Sequence, residues 1–444
     1  MHIVIYTTNS NKIESNSMSV TCLPCCKDQL KVLTDSYSDC TFTFVIQKPG
    51  LFLLDNENDA ESDIKNIKYV FVEADKDSVS QIANQIIELK PDIALCMTYW
   101  IAPFDWLSIK DSLIGEKLAA SGIKTFFHPS LSSLICFDKI QTRNFLMQNG
   151  FNCAKSIPVH HELFYAERNH LEIKNNVYKD YIFQKIEELR LPLVVKDTSG
   201  LSSYGMDVCK TYAEVKHVLT SKKNNSDRLV EEFLEGPSFG VEIYGSKGNY
   251  KISPVLINSV NQFGLTSPKQ NVKLGPVTSS KYDISNLCKE LKRLAELLGF
   301  SGIAQVDLVY SNNKWYIIEI NSRLSGMSQT IACSLNKTIH QLLVEAALGN
   351  VKTDNPKYIM NMKFPLLTPE KLNKLKNLSF VHYVNQIQNH NAKQIRELGY
   401  TEVIFGKTDS LDEIMSQLEV IKENFPDDIE PVFYENAKKI ALQL

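Results

Sequence analysis

The segments Gln305-Val306-Asp307-Leu308 and Tyr316-Ile317-Ile318-Glu319-Ile320-Asn321-Ser322-Arg323 bring together two carboxylates, an amide and a guanidinium. Val306, Leu308, Tyr316, Ile318 and Ile320 favour strand, and Ser311-Asn312-Asn313-Lys314 supplies a turn, so the stretch reads as a β-hairpin. Side chains alternate along a strand. Glu319 and Asn321 therefore share a face, with Arg323 in phase if the strand continues. Folding back about the turn sets Asp307 opposite residue 318 or 319. Oxygen ligands of this kind suit magnesium, and magnesium suits a nucleotide polyphosphate. The competing reading is a polar sheet surface laced with ion pairs, and the rest of the chain decides between them.

Two more cations matter. Lys139 follows Phe137-Asp138, and Lys196 closes the run Pro192-Leu193-Val194-Val195, where a buried amine needs an anion. After Lys196 comes the small-residue loop Ser199-Gly200-Leu201-Ser202-Ser203-Tyr204-Gly205, whose backbone N–H groups and glycines permit close approach to a ligand. An ordinary hairpin turn would read the same way, and either lysine alone would pass as a solvated surface residue.

The elements that position these groups follow from hydrophobic period and punctuation. His2–Tyr6, Phe42–Gln47, Tyr69–Glu73, Asp92–Met97 and Lys124–Phe127 read as strands. Val79, Ile82, Ala83, Ile86 and Ile87 recur at helical spacing, stopped by Pro91, and Glu116–Ser121 is helical up to Gly122. This is an open α/β sheet. No G-x-G-x-x-G follows its first strand, so a dinucleotide site has little support. A helix runs through Asp138 to Gln148, residues 160–190 form a helical insertion, and Leu193–Lys196 and Leu229–Leu234 are strands. Leu287, Leu291, Leu294, Leu297 and Leu298 mark an amphipathic helix stopped by Gly299; another crosses Ile339–Leu348. A strand at Glu402–Phe405 and a helix from Leu411 to Glu423 close the chain.

The 444 residues suggest about three domain-sized units. A net charge of −3 gives no basic field for nucleic acid. No apolar run is long enough to span a bilayer, and the start of the chain reads as a buried strand instead of an export signal, so a cytoplasmic location is expected. Ten cysteines in such a length do not make a disulfide framework. Cys22, Cys25 and Cys26 lack a second ligand pair at zinc spacing and read as a reduced loop or helix start.

From about Gly122 to Gly349 the motifs, in this order, resemble the ATP-grasp superfamily, and within it the branch of carboxylate–amine ligases similar to amino-acid and dipeptide ligases. The resemblance implies an α/β fold in three parts. Residues 1–125 would be an N-terminal open α/β domain, 126–350 the ATP-grasp domain with a lid at about 151–232, and 351–444 an accessory α/β domain. It implies that Lys139 and Lys196 bind ATP phosphates, covered by a loop with Ser202, Ser203 and Gly205. Glu231, Phe233 and Leu234 would form the hinge strand, with the backbone of Glu231 and Leu234 on the adenine edge. Ser238 stands where many relatives carry a ribose-binding glutamate, which leaves that contact to Glu235 or Ser238.

By the same resemblance Asp307, Glu319 and Asn321 hold two magnesium ions, with manganese able to replace them, and Glu319 bridges the pair. Arg323 stabilises the transferring phosphoryl group. Ser325, Gly326 and Met327 form a turn whose N–H and hydroxyl donors would meet a substrate carboxylate; the plain reading is a helix N-terminus capped by Ser328, and the two are compatible because helix N-termini bind carboxylates. The implied activity joins a small-molecule carboxylate to an amine through an acyl phosphate, releasing ADP and phosphate. Two rivals stay open. One is a bicarbonate-activating enzyme of the biotin-carboxylase or carbamoyl-phosphate type, although the Q-V-E-H string of biotin carboxylases is missing after Arg323. The other is a non-catalytic nucleotide-binding regulator. No nucleic acid or membrane partner is expected, and residues 351–444 would shape either the substrate pocket or a homodimer interface. Tyr99-Trp100 would line the acceptor pocket or pack beneath it.

Overall fold

The computed structural model describes residues 1–8, 18–47, 63–73, 76–99, 107–199, 206–221, 224–261, 263–265, 271–389 and 399–444. The first sheet has five parallel strands, in the order Ile67–Phe71, Thr41–Ile46, His2–Tyr6, Ile93–Cys96 and Lys124–Phe126. Parallel strands covered on both faces carry continuous apolar runs, as His2–Tyr6 does. Val4 and Tyr6 pack under helices Val79–Glu88 and Leu107–Ala120. Ile3 and Ile5 point the other way, towards helices Cys26–Ser36 and Ile339–Leu348. The second of these helices comes from the far side of the chain, so one core joins the first sheet to the rest of the molecule. Cys26 begins a helix, and all ten cysteines are free thiols.

A four-stranded antiparallel sheet follows, ordered Ser156–Val159, Arg228–Glu232, Leu193–Asp197 and Met206–Cys209. Its apolar face rests on helices Val177–Glu187 and Tyr212–Thr220. The expected helix through Asp138 is two helices, Ser130–Phe137 and Lys139–Gln148. Asp138 ends the first and caps the second, accepting from Ile140 N at 2.8 Å.

The largest sheet is ten-stranded and antiparallel. Its path runs from Lys314–Asn321 through Gly302–Ser311, Ser238–Ser246, Leu256–Asn258 and Lys273–Gly275 to Tyr358–Phe364, Gly399–Thr408, Val381–Asn389 and Met18–Leu23, with Asn249–Ile252 paired off the path. This sheet crosses both expected boundaries. Strands after residue 350 extend it without a break, and Met18–Leu23, which the sequence reading missed, forms its edge beside Val381–Asn389. The alternation along these strands sorts the residues. Phe239, Val241, Ile257, Leu274, Val306, Leu308, Met360, Met362, Val403 and Phe405 enter the main core. That core is closed by helices Ile284–Leu298, Leu411–Asn424 and Pro431–Ala441. Gly299 ends the first of these helices at φ +60°, where a residue without Cβ is unstrained. The intervening positions, Gly240, Glu242, Gln305, Asp307, Lys273 and Lys363, face the opposite side.

Asp111, in helix Leu107–Ala120, is fully buried and ties two strand ends together. Its carboxylate accepts from Thr8 N at 2.8 Å, Thr8 Oγ1 at 2.6 Å and Thr98 Oγ1 at 2.7 Å. Burial pushes its pKa up to about 6 despite these donors. A folded pKa above the unfolded one gives stability that is complete below the unfolded value and lost as pH rises through the folded value. Between pH 4 and 7 the stability difference should therefore move in favour of Asp111→Asn by about 1–3 kcal/mol. Urea unfolding of both chains measures this; a difference that does not change with pH would contradict it.

Candidate active site

The hairpin Gly302–Ser311/Lys314–Asn321 turns through Asn312 and Asn313, both in the left-handed region at φ 49° and 58°. Such a two-residue turn matches the twist of the strands and fixes their register. Asp307 then pairs directly with Glu319, next to a bulge between Asp307 and Leu308. The two carboxylates stand on the open face of the large sheet. Gln305 Nε2 donates to Asp307 Oδ1 at 2.6 Å, Asn321 Nδ2 to Gln305 Oε1 at 3.0 Å, and Arg323 Nη2 to Asn321 Oδ1 at 3.0 Å. This chain of bonds fixes the amide and the guanidinium relative to the carboxylates.

The cations arrive from two other elements. Lys139, in the first turn of its helix, places Nζ 3.1 Å from Glu319 Oε1. Lys196 lies on the side of its strand away from Leu193 and Val195, and those two enter the core of the four-stranded sheet. Lys196 Nζ donates to Glu231 Oε1 on the neighbouring strand. Arg143, one helical turn after Lys139, completes the group. Its Nε donates to Glu231 Oε2 at 3.0 Å and its Nη2 to the Ile318 carbonyl at 2.7 Å. Lys196, Glu231 and Arg143 are all buried.

Burial, aided by the charges of Arg143 and Lys139, lowers the Lys196 pKa to about 8, against the pull of Glu231. Burial alone would raise Glu231, but Arg143 and Lys196 outweigh it and hold the carboxyl below its usual range. For Glu319 burial also acts upward, and Lys139, Lys196 and Arg323 prevail. Asp307 goes the other way. Burial and the neighbouring Glu319 charge push it up to about 7. A carboxylate so disfavoured beside a second one suits a hard divalent cation, which would hold both ionised. Among the described residues no cluster of three or more His, Cys, Asp or Glu could hold a metal alone. Asp307, Glu319 and the Asn321 amide oxygen are the oxygen donors that could hold such a cation, with other ligands left to water or a bound anion, the pattern magnesium accepts.

One cleft is lined by Lys139, Lys196, Glu231, Phe233, Leu234, Asp307, Glu319, Asn321, Arg323 and the turn Ser325-Gly326-Met327. Ser202, Ser203 and Gly205 lie outside the described residues, as does Trp100. Tyr99 packs against the core shared by the first sheet and helix Ile339–Leu348. Ser238 lines the cleft, and Glu235 is exposed and is not among the residues that line it. Glu231 differs from its expected role. It lies in a strand paired on both sides, so its backbone belongs to the ladder and its carboxylate faces the cleft. Phe233 N still donates to the Pro192 carbonyl at 3.0 Å, so among the described residues the main chain leaves that ladder at Leu234.

The Ser325–Met327 turn also differs. Ser325 Oγ donates to Glu242 Oε1 at 2.9 Å, Ser328 Oγ donates to the same oxygen, and Met327 N donates to Ser325 Oγ at 3.0 Å. Both hydroxyls are thus committed to a buried carboxylate and are not offered to a ligand. Ser328 opens helix Ser328–Ser334 without capping it, since its Oγ accepts from Ser325 N, a residue outside the helix. Glu242, Arg143 and Gln305 were missed in the sequence. Their one signal was a polar residue at a core-facing or cleft-facing period, as in Val241-Glu242-Ile243. Gly240 is constrained too: a Cβ there would lie 2.2 Å from Met327 Sδ.

Glu231→Gln would leave Lys196 and Arg143 as buried cations without the carboxylate that both bond. The expected loss is about 3–5 kcal/mol of folding stability. Urea unfolding reads it, and a loss within error of zero would show that the three residues do not act as a unit.

Residues 136–327 match the family model described as ATP-grasp domain. The chain is 25% identical over 288 residues to the D-alanine--D-alanine ligase of Pelagibacter ubique, covering 64% of this chain and 86% of that one. It is 24% identical over 191 residues to a carbamoyl-phosphate synthase of Methanobrevibacter smithii, covering 41% of this chain and 51% of that protein. Among solved structures, an L-amino acid ligase from Bacillus licheniformis superposes with a TM-score of 0.64 at 16% identity, covering 95% of this chain and 97% of that one. The fold is the ATP-grasp fold.

Proposed function

We propose that this chain is an ATP-dependent carboxylate–amine ligase that forms ADP. The observation that carries the reading is the convergence of Lys139, Lys196, Asp307, Glu319, Asn321 and Arg323 on one cleft of an ATP-grasp fold. The relatives named as ligases of amino acids support the choice of reaction. The matching carbamoyl-phosphate synthase favours no bicarbonate chemistry here, because it shares the domain over about half of its own length.

The adenine lies against Phe233 and Leu234, both of which line the cleft, and Leu234 is where the main chain leaves the ladder. Lys139 and Lys196 neutralise the polyphosphate. A phosphate beside Lys196 restores the full charge that burial disfavours, so binding and protonation reinforce each other. Asp307, Glu319 and Asn321 would hold magnesium, two ions in this reading and replaceable by manganese, and the metal would neutralise charge on the phosphates. A substrate carboxylate oxygen attacks the γ-phosphorus, the bond to the β-bridging oxygen breaks, and ADP leaves. Arg323 faces the charge that develops on the transferring group. An amine then attacks the acyl carbon, phosphate departs, and the amine gives up a proton. Positioning and electrostatics supply the rate, without a covalent protein intermediate.

Screening acids and amines in pairs for ADP release tests the reading. Glu319→Gln should abolish release while keeping the fold, since an amide cannot bind cations as a carboxylate does. Full wild-type turnover in excess chelator would overturn the metal assignment. Lys196→Ala should weaken ATP binding at least tenfold, equivalent to about 1.4 kcal/mol, by calorimetry. Unchanged affinity would leave Lys196 a purely structural partner of Glu231.

A further inference from the structure

Beyond Asp307 the cleft continues along a polar stripe that the reaction above does not use. Ser238, Asn258, Lys273 and Asn361 stand opposite one another on four neighbouring strands of the large sheet. Directly opposed residues share a face. Asn271 and Lys363 join it by lying two positions from Lys273 and Asn361. Asn258, Asn271, Lys273 and Lys363 all line the cleft.

Lys273 is 7% exposed, and among the described residues no hydrogen bond or ion pair holds its ammonium group. Glu402 and Asp307 act on it only through space. Among the described residues the Oδ1 atoms of Asn258 and Asn271, each residue 5% exposed, are also buried without a partner. An amide's oxygen and nitrogen exchange by a flip, so each asparagine has one unmatched atom able to accept or to donate. Lys363 Nζ sits 4.3 Å from the centroid of the Tyr400 ring, at the far end of the stripe. Glu402, opposite Lys363, is already engaged by Asn361 Nδ2 at 2.9 Å. A buried ammonium and two unmatched amides are costly unless a ligand completes them.

We propose that this end of the cleft is a subsite for a carboxylate that does not react, carried by one of the two substrates and held by Lys273 and Lys363 with Asn258 and Asn271 beside it. The proposal deepens the ligase reading and rests on it. Two sources share the chemistry: an acyl donor with a second carboxylate, or an amine acceptor with a carboxylate of its own, as in an amino acid. The residues 351–444 thereby contribute to substrate choice through Lys363.

The test offers acids and amines in pairs, each with its non-reacting carboxylate free or converted to the carboxamide, and follows ADP release. The wild-type KM for the carboxamide of one substrate should be at least tenfold higher, and the substrate showing the split is the bearer. Lys273→Met should raise the KM of the free acid at least tenfold and leave the carboxamide and the Mg-ATP affinity within twofold. Lys363→Met should act in the same direction, and Lys273→Gln replaces Lys273→Met if that chain does not fold. Equal use of acid and carboxamide by the wild type, or a loss of ATP affinity in Lys273→Met, would overturn the subsite. If no pair releases ADP, the ligase reading fails, and calorimetry with glutarate against glutaramate tests the subsite by itself. Tenfold tighter glutarate binding, lost in Lys273→Met, supports it; equal or absent binding overturns it.

Discussion

The arrangement depends on one buried carboxylate shared by two cations. Glu231 takes Lys196 on one oxygen and Arg143 on the other, and Arg143 reaches on to the carbonyl of Ile318. These contacts join the four-stranded sheet, the helix Lys139–Gln148 and the hairpin of the large sheet. Arg143 suits the place because its planar fork holds two donors in fixed directions, one on the carboxylate and one on the carbonyl. Without Glu231 the same low-dielectric site would hold two like charges and lose the carboxylate that both bond. With it, Lys196 stays protonated near neutral pH and aimed into the cleft, although burial works against its charge.

The second constraint is the alternation along the large sheet. One set of side chains fills the main core, and the other presents Gln305, Asp307, Lys273 and Lys363 to the cleft, with Glu242 buried on the same side. A one-residue slip would exchange the two sets. The turn at Asn312-Asn313 and the bulge beside Asp307 pin the hairpin, and the Asp307–Glu319 pairing follows from them. Glu242 extends the same logic. Buried on the cleft side, it holds Ser325 and Ser328 and so fixes the turn after Arg323.

The hairpin and its turn were legible because period-two alternation and turn chemistry are local, whereas the residue opposite Asp307 was legible only as 318 or 319, because the bulge beside Asp307 shifts the register. Equally legible were the apolar strands of the first sheet and the leucine stripe of helix Ile284–Leu298. The strand Met18–Leu23 was not. Its partner, Val381–Asn389, lies more than three hundred residues away, and nothing local marks that pairing. The same long-range pairing carries the sheet across residues 125 and 350. Arg143 and Glu242 were hidden for a related reason. Each looks like an ordinary polar residue until the fold places its partner, Glu231 or Ser328, against it. Lys273 gave no signal, because an absent partner is visible only in three dimensions.

The central claim is that the cleft transfers the γ-phosphoryl group of ATP to a carboxylate before an amine arrives. The most direct measurement incubates the chain with ATP, magnesium and a panel of carboxylates, replaces the amine by hydroxylamine, and identifies the products. The account predicts ADP, phosphate and a hydroxamate of one carboxylate. AMP and pyrophosphate would contradict it, since they require attack at the α-phosphorus instead of the γ-phosphorus.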